Sequence, residues 1–328
     1  MNLYDQQRSN RRKTWLVMMA FVAFLLVLGA GFDTFYIGAA GGAVPIGTLA
    51  ALGFGSVSAL ASYFSGDRAV LLASHAQPIA QAAAAATSDD EKLRLRQLDN
   101  VVDEMAIAAG LPRPPVYIVP DPDPNAFATG RGPGHASIAV TRGLLESLDR
   151  DQLQGVIAHE MSHVKNYDVR MMTVVAALVG AIALLSDWAR RGMWWGGGAR
   201  RRDRDDRGGG AAGAFFFVVW LAAVLIAPLL AQLLAMMVSR RREYLADASG
   251  AELTRNPLGL ASALEKIDAA VEPTRAINQG TAHLCIADPL GRQMNVAGGR
   301  WSNLFASHPP MASRIAALKA MAYQGTTP

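Results

Sequence analysis

Residues 156–186 read VIAHEMSHVKNYDVRMMTVVAALVGAIALLS and join two different kinds of sequence. The first part has the His-Glu-x-x-His spacing that is typical of hydrolytic metal sites. After Arg170 the second part is uncharged and apolar, as expected of a segment that partitions out of water. The stretch therefore predicts a metal site that lies close to a membrane.

The histidine motif is expected on a helix that begins at Arg150 or Asp151. On a helix, His159 and His163 are four residues apart and project from one face, so both imidazoles can bind one Zn²⁺. Glu160, beside the first histidine, can accept a proton from the attacking water. Because such a short pattern recurs by chance, a helix with two ordinary surface histidines is the alternative interpretation.

A third ligand is expected downstream, since catalytic zinc usually has three protein ligands and one open position. The segment MMVSRRREYLADASGAELTRNP predicts a helix that ends before Pro257 and carries Glu243 and Asp247 four residues apart. One acid can bind zinc, and the other can hydrogen-bond a ligand imidazole. The alternative is an ordinary charged helix surface, on which the arginines at 240–242 pair with both acids.

The composition indicates a membrane protein, because hydrophobic residues make up 51% of the chain and charged residues only 18%. The apolar residues concentrate in four uncharged blocks, at 14–32, 44–64, 171–186 and 214–238. The blocks at 14–32, 44–64 and 214–238 reach the length of about 20 residues that a membrane span needs, whereas the block at 171–186 is marginal. The net charge of +4 does not indicate nucleic-acid binding, because the basic residues lie beside the apolar blocks.

Charge asymmetry predicts the orientation of the first apolar block. Arg8, Arg11, Arg12 and Lys13 precede it, whereas the loop at 33–43 carries no Lys or Arg, so the N-terminus is expected in the cytoplasm. A cleaved signal peptide is the alternative for this block. Cys285 is the only cysteine, which fits a reducing compartment.

The region between the second apolar block and the motif predicts a helix and a small sheet. Apolar residues recur with helical spacing from Asp89 to a stop at Gly110. Short β-like runs follow at 116–119, 126–129 and 137–140, and the second and third can form a hairpin.

The ordered combination of His159-Glu160-x-x-His163, REYLAD and SHPPMASRI resembles the HtpX-type membrane metalloproteases, the bacterial heat-shock proteases related to the CAAX prenyl proteases. The NAFATG segment and the two N-terminal apolar blocks also match this family. The resemblance implies one zinc ion per chain, with ligands His159, His163 and Glu243 and with Glu160 as general base. It also implies a multi-pass protein of the bacterial inner membrane that clears damaged membrane proteins at a cytoplasmic site.

The expected fold is a mainly α integral membrane protein with a zincin-like α+β catalytic domain, a small β-sheet and two to four membrane helices. Residues 1–66 are expected to form a membrane hairpin and residues 67–328 the metalloprotease domain. An apolar hairpin at 171–238 interrupts this domain, and its Arg/Gly-rich loop at 187–213 departs from the family pattern. If the hairpin crosses the bilayer, the seven arginines of its loop lie outside, against the positive-inside tendency. Either the first two segments fix the topology in spite of this, or the hairpin dips into the bilayer without crossing it.

Further residues are assigned roles around the metal. His308 is the best candidate donor to the developing oxyanion, with Tyr244 behind it, although His308 is equally well explained as a turn residue before two prolines. Arg314 is expected to pair with an acid such as Asp247. Extended substrate is expected to add to an edge strand, for which a plain sheet strand is the alternative. The strand residues are Asn125, Ala126, Phe127, Ala128 and Thr129.

Both ligand-bearing helices are expected to run into the apolar hairpin. If the first helix is continuous, His163 lies about 12 Å from Met171, and Val238 lies about 7.5 Å from Glu243. The metal is then held at the bilayer surface, within reach of membrane-protein substrates. A CAAX-type prenyl peptidase and a non-catalytic scaffold with structural zinc are the competing functions, and Glu160 argues against the scaffold.

Overall fold

The computed structural model describes residues 3–34, 44–179, 240–270, 274, 276, 284–287 and 309–324. These residues form a mainly helical chain with one small mixed sheet. The helices are α1 (Leu3–Phe32), α2 (Ile46–Ala73), α3 (Ile79–Ala85), α4 (Asp89–Ala109), α5 (Arg142–Ser147), α6 (Arg150–Lys165), α7 (168–179), α8 (Arg240–Thr254), α9 (Pro257–Asp268) and α10 (Met311–Gln324). The strands are β1 (Gln77–Pro78), β2 (Val116–Val119), β3 (Ala126–Gly130) and β4 (Ala136–Thr141).

Helices α1 and α2 are long and apolar enough to cross a membrane. They pack along each other and against α7 through Met18, Phe21, Leu25, Ala59, Val174 and Leu178. Large apolar side chains on their outer faces, such as Met19, Val57 and Phe64, are exposed. A contiguous apolar surface of this kind is expected of helices that face lipid.

The sheet has the strand order β1-β2-β4-β3, with β2 and β4 parallel and the other pairs antiparallel. The predicted hairpin is confirmed, because β3 and β4 pair from Ala126 opposite Val140 to Gly130 opposite Ala136. Since side chains alternate along a strand, Ala128 faces the main core with α4 and α6, and Phe127 faces the ends of α2 and α7. The sheet thus lies between the helix that carries the histidine motif and the apolar helices.

The two predicted helices before and at the motif are confirmed. Ser88 caps the start of α4, and Gly110, with φ of +67°, ends it in a left-handed conformation that glycine adopts readily. Helix α6 begins with a reciprocal capping box between Asp149 and Gln152. The cap fixes the start of α6 and therefore the direction in which the motif histidines project.

The prediction of a continuous helix from the motif into the third apolar block is wrong. Helix α6 ends at Lys165, the chain turns at Asn166 and Tyr167, and α7 begins at 168. Tyr167 has φ of +58°, which is uncommon for a residue with a side chain. The break brings Asp168 to His163, which a straight helix could not do, because residues five apart project about 140° from each other.

Several predictions lie outside the described residues. They concern most of the apolar hairpin, including its Arg/Gly-rich loop, the passage from Val238 to Glu243, and His308. Helix α2 continues past residue 66, where the membrane hairpin was expected to end, to Ala73.

Candidate metal centre and active site

Three side chains from two helices converge in the interior. His159 and His163 project from α6, and Glu243 projects from α8. The Nε2 atoms of the two imidazoles lie 3.2 Å apart. Nε2 of His159 lies 3.7 Å from Oε2 of Glu243, and Nε2 of His163 lies 3.6 Å from Oε1 of Glu243. All three side chains are buried, so the interpretation as surface histidines is wrong.

These separations fit a tetrahedral metal ion. Zinc bound to nitrogen and oxygen at about 2.0–2.2 Å places its ligand atoms about 3.3–3.6 Å from one another. The three observed separations, 3.2, 3.6 and 3.7 Å, lie close to that interval. The donor set of two imidazoles and one carboxylate is also one that catalytic zinc takes. The residues present therefore fit zinc.

Asp247 lies one turn after Glu243 on α8 and contacts the other side of His159. Its Oδ1 is 2.9 Å from Nδ1 of His159. Arg314 from α10 donates to both carboxylate oxygens of Asp247, at 2.7 and 2.8 Å. Burial opposes the charge of Asp247, but the charge and hydrogen bonds of Arg314 lower its pKa to about 2. The acid is therefore ionised and faces the imidazole that it can orient.

His163 has a corresponding partner that the sequence patterns did not reveal. Its Nδ1 lies 3.3 Å from Oδ2 of Asp168, the first residue of α7. Asn10 of α1 donates to Oδ1 of Asp168 at 2.6 Å and to the carbonyl of Asn166 at 3.0 Å. Arg242 approaches the same Oδ1 at 3.4 Å. Each imidazole thus faces its own carboxylate. The carboxylate that faces His163, that of Asp168, is hydrogen-bonded by Asn10 of the first apolar helix, α1.

Asp168 is an acidic residue close to the motif in the sequence, but its contact with His163 depends on a turn that the sequence patterns did not predict. Asp168 follows His163 by five residues, a spacing that places it on a different face of a continuous helix. The pairing of Arg242 with Asp168 argues against the alternative interpretation, in which the arginines before Glu243 pair with the acids of α8. Glu243 and Asp247 are both buried, so α8 does not present an ordinary charged surface there.

Glu160 lies beside His159 and is 1% exposed. Burial raises the pKa of Glu160, while the two imidazoles and a hydrogen bond from the Ala128 backbone oppose that rise. Its Oε1 has no hydrogen-bond partner within the part of the chain that the structure describes. A carboxylate with a raised pKa and an uncommitted oxygen suits a general base near neutral pH.

Strand β3 is the edge of the sheet on the side of α6. Ala128 contacts Glu160 through its backbone, which places this strand against the candidate base. Part of the edge is paired within the chain, because the N–H of Ile286 donates to the carbonyl of Ala126 at 2.9 Å. Asn125 also donates through its side chain to the carbonyl of Ala287 at 2.9 Å. Phe127 and Thr129, in the same strand, are buried.

A glycine permits the close approach of the two ligand-bearing helices. A Cβ atom on Gly250 of α8 would lie 3.0 Å from the backbone nitrogen of His159 and 3.2 Å from its Cα. Because those neighbours are backbone atoms, a side chain there would push α8 away from α6. Tyr244, the second oxyanion candidate, lies on α8 and is half-buried.

Comparisons with known proteins bear on this arrangement. The model of peptidase family M48 matches residues 92–322, which include every described residue of the candidate site except Asn10. The chain belongs to peptidase family M48. The resemblance to HtpX-type proteases is also confirmed. A protease HtpX homolog of Caldanaerobacter subterraneus subsp. tengcongensis is 42% identical over 97% of this chain and 98% of its own length. A protease HtpX homolog of Lactiplantibacillus plantarum is 43% identical over 97% of this chain and 100% of its own length.

The solved structure of S. mikatae Ste24p is a more distant match. It is 17% identical, covers 93% of this chain and 66% of that chain, and has a TM-score of 0.42. The chain belongs to a metallopeptidase family and is similar over nearly its whole length to relatives named proteases, which supports its being a metalloprotease. Helices α1 and α2 associate it with a membrane.

Proposed function

We propose that this M48 chain is a zinc-dependent endopeptidase that cuts misfolded or damaged membrane proteins at the cytoplasmic surface of the bacterial inner membrane. The observation that carries the proposal is the convergence of His159, His163 and Glu243 beside the buried acid Glu160. A structural zinc site would be closed by a fourth ligand and has no need of such an acid. The arrangement therefore favours an enzyme over a scaffold.

In the proposed reaction His159, His163 and Glu243 would hold one zinc ion, which would supply Lewis-acid chemistry for the scissile carbonyl and for water. Glu160 accepts a proton from the attacking water and passes it to the leaving amine. Asp247 and Asp168 lie 2.9 and 3.3 Å from Nδ1 of His159 and His163, where each carboxylate can accept a hydrogen bond that would fix the tautomer and leave Nε2 free to bind metal. His308 remains the proposed oxyanion donor.

The β3 edge is proposed to bind the substrate backbone from Ala128 onward. Ala128 is the strand residue that contacts Glu160, so a peptide added there would lie beside the base. Backbone hydrogen bonds of this kind tolerate many side chains, which suits an enzyme that acts on unfolded rather than on particular proteins. Toward Ala126 the edge is already paired by Ile286, and beyond Ala128 the N–H of Gly130 donates to Oγ1 of Thr173 at 2.9 Å, so only a short stretch is available for strand addition.

The cytoplasmic location rests on the sequence and on helix packing. The basic residues before the apolar part of α1 favour an N-terminus in the cytoplasm. Asn10, in the same basic segment, contacts Asp168 beside the candidate metal ligand His163. The metal centre would then lie on the same side of the membrane as the basic segment.

Purified full-length protein incubated with a denatured, unprenylated multispanning membrane protein tests the function. Cleavage that a chelator abolishes and added zinc restores would support an endopeptidase. A parallel reaction with a prenylated C-terminal peptide distinguishes the prenyl peptidase, for which only that peptide is cut. Absence of cleavage in both reactions, in protein that retains stoichiometric zinc, would favour the scaffold.

A further inference from the structure

Three arginines from distant parts of the sequence meet at one level of the fold. They are Arg11 of α1, Arg131 after β3 and Arg170 of α7, and together they are called the arginine cluster. Arg170 donates through Nε to the carbonyl of Arg131, and it lies near enough to Arg11 and Arg131 to be repelled by both charges. Among the described residues, no carboxylate forms an ion pair with any of the three.

Aromatic rings hold these guanidinium groups in place. The guanidinium carbon of Arg11 lies 4.5 Å from the ring centroid of Tyr167, and that of Arg170 lies 5.0 Å from the same ring. Arg170 also lies 5.6 Å from the ring of Tyr63. Cation–π contacts use the faces of the guanidinium groups and leave N–H edges available for an anion.

The arginine cluster lies where three apolar segments end. Arg11 stands just before the uncharged block at 14–32, and Arg170 stands just before the block at 171–186. Tyr63, which stacks on Trp15 at 5.8 Å, lies at the end of the block at 44–64. Aromatic residues at the ends of spans are typical of the membrane–water interface, which is also the level of lipid phosphates.

Arg170 is repelled by Arg11 and by Arg131, so an anion at this level would be stabilised, and the membrane surface supplies anions. We propose that the arginine cluster binds the phosphate headgroup of an anionic phospholipid. Arginine forks match phosphate oxygens in geometry, and the rings of Tyr63 and Tyr167 fix two of the forks before the lipid arrives. The site is separate from the peptidase chemistry, because in the described part of the chain the three arginines contact aromatic rings, His135 and backbone rather than the candidate zinc ligands.

Lipid binding to full-length protein in detergent tests the proposal. Phosphatidylglycerol and phosphatidylcholine are titrated separately, and retained lipid is counted by native mass spectrometry. Arg11→Gln is compared with Arg12→Gln, which removes the same charge one residue away on the same exposed segment. We expect Arg11→Gln to weaken phosphatidylglycerol binding about fivefold and Arg12→Gln to leave it nearly unchanged, with no effect of either change on phosphatidylcholine.

Two further measurements make the result decisive. Arg131→Gln should reproduce the effect of Arg11→Gln, and thermal unfolding without lipid shows whether each variant is folded. Equal losses in the Arg11 and Arg12 variants would overturn the proposal, because they indicate general attraction to a basic segment. Inorganic phosphate that stabilises the protein as much as phosphatidylglycerol does would also overturn it, since the site would then bind free phosphate rather than lipid.

Discussion

Arg314 donates two hydrogen bonds to Asp247, from Nε to Oδ2 at 2.8 Å and from Nη2 to Oδ1 at 2.7 Å, and both residues are buried. The same Oδ1 lies 2.9 Å from Nδ1 of His159. Arg314 also donates through Nη1 to the carbonyl of Ile286 at 2.7 Å. One arginine of α10 thus ties α8, the segment at 284–287 and, through Asp247, a candidate metal ligand of α6.

Removal of this arginine is expected to destabilise the protein severely. Arg314→Gln leaves the charge of Asp247 buried without its partner, which typically costs about 3–5 kcal/mol. Thermal unfolding in detergent measures the loss. Lys319→Gln is the matched control, because Lys319 lies on the same helix and forms an exposed ion pair with Glu265. The central role of Arg314 is refuted if both variants unfold at the same temperature.

Glu160→Gln is expected to retain zinc and to lose proteolysis. The substitution keeps the shape of the side chain but removes the base, and loss of a general base typically slows a reaction about 10²–10⁴-fold. Glu243→Gln should instead lose metal, because Glu243 lies with the imidazoles at ligand-to-ligand distances. Zinc content and cleavage rate are measured on both. Undiminished cleavage by the Glu160 variant at full zinc content would sink the assignment.

Metal affinity is expected to depend on pH through His163. Burial opposes its charge, but the hydrogen bond to Asp168 and the nearby acids raise the pKa of His163 in the metal-free protein from 6.5 to about 9. The proton therefore stabilises the metal-free fold fully below pH 6.5, and this contribution is lost as the pH rises through 9. Metal must displace that proton, so affinity should rise about tenfold per pH unit and level off above 9.

Zinc titrations between pH 7 and 9.5 check this dependence. Asp168→Asn removes the charge that raises the pKa of His163, so its affinity should level off at a lower pH than that of the unmodified protein. An affinity that does not change between pH 7 and 8.5 in the unmodified protein would contradict the expected proton release.

Asn10 is expected to position Asp168 and, through it, His163. Asn10→Asp sets a carboxylate against Asp168, whereas Asn10→Ala only removes two hydrogen bonds. Changes to residues that support a metal ligand typically cost about 10–100-fold in metal affinity. Both variants should therefore bind zinc more weakly than the unmodified protein, and Asn10→Asp should bind it more weakly than Asn10→Ala. Ser9→Ala, next to it on α1, is the control. The d–d spectrum of the cobalt-substituted protein reports whether ligand geometry changes; an unaltered spectrum and affinity in both variants would exclude the role.

Local patterns in the sequence predicted much of this arrangement, and long-range pairings account for what they missed. The ends of α4, the β3–β4 hairpin and the four-residue spacings on α6 and α8 depend on neighbours within a few residues, so sequence rules apply to them. The contact between Asn10 and Asp168 joins positions 158 residues apart. No periodicity encodes such a pair, and the left-handed turn at Tyr167 that makes it possible occurs without a glycine. Similarly, nothing in the strand pattern of residues 126–130 indicates that Ile286 pairs with Ala126.

The position of the site predicts where substrates are cut. Asn10 precedes the apolar part of α1 by only a few residues and contacts Asp168 beside His163, so the metal centre is expected within about 10–15 Å of the membrane surface along helices that rise 1.5 Å per residue. Substrates in the same bilayer should therefore be cut in cytoplasmic loops close to their spans. Folded soluble proteins should be poor substrates, because strand addition to β3 needs an extended chain.

Mapping the cleavage sites of a multispanning model substrate in vesicles tests this expectation. Co-reconstituted substrate should be cut near its spans, and the same loop presented as a folded soluble fusion should be cut much more slowly. A denatured soluble protein is the matched control, since it provides an extended chain without membrane proximity. Cuts mainly in periplasmic loops would refute the proposed topology. If the denatured soluble protein is cut as fast as the membrane substrate, an extended chain alone selects the substrate, and the closeness of Asp168 and His163 to the membrane helix serves to hold the metal centre rather than to choose what it cuts.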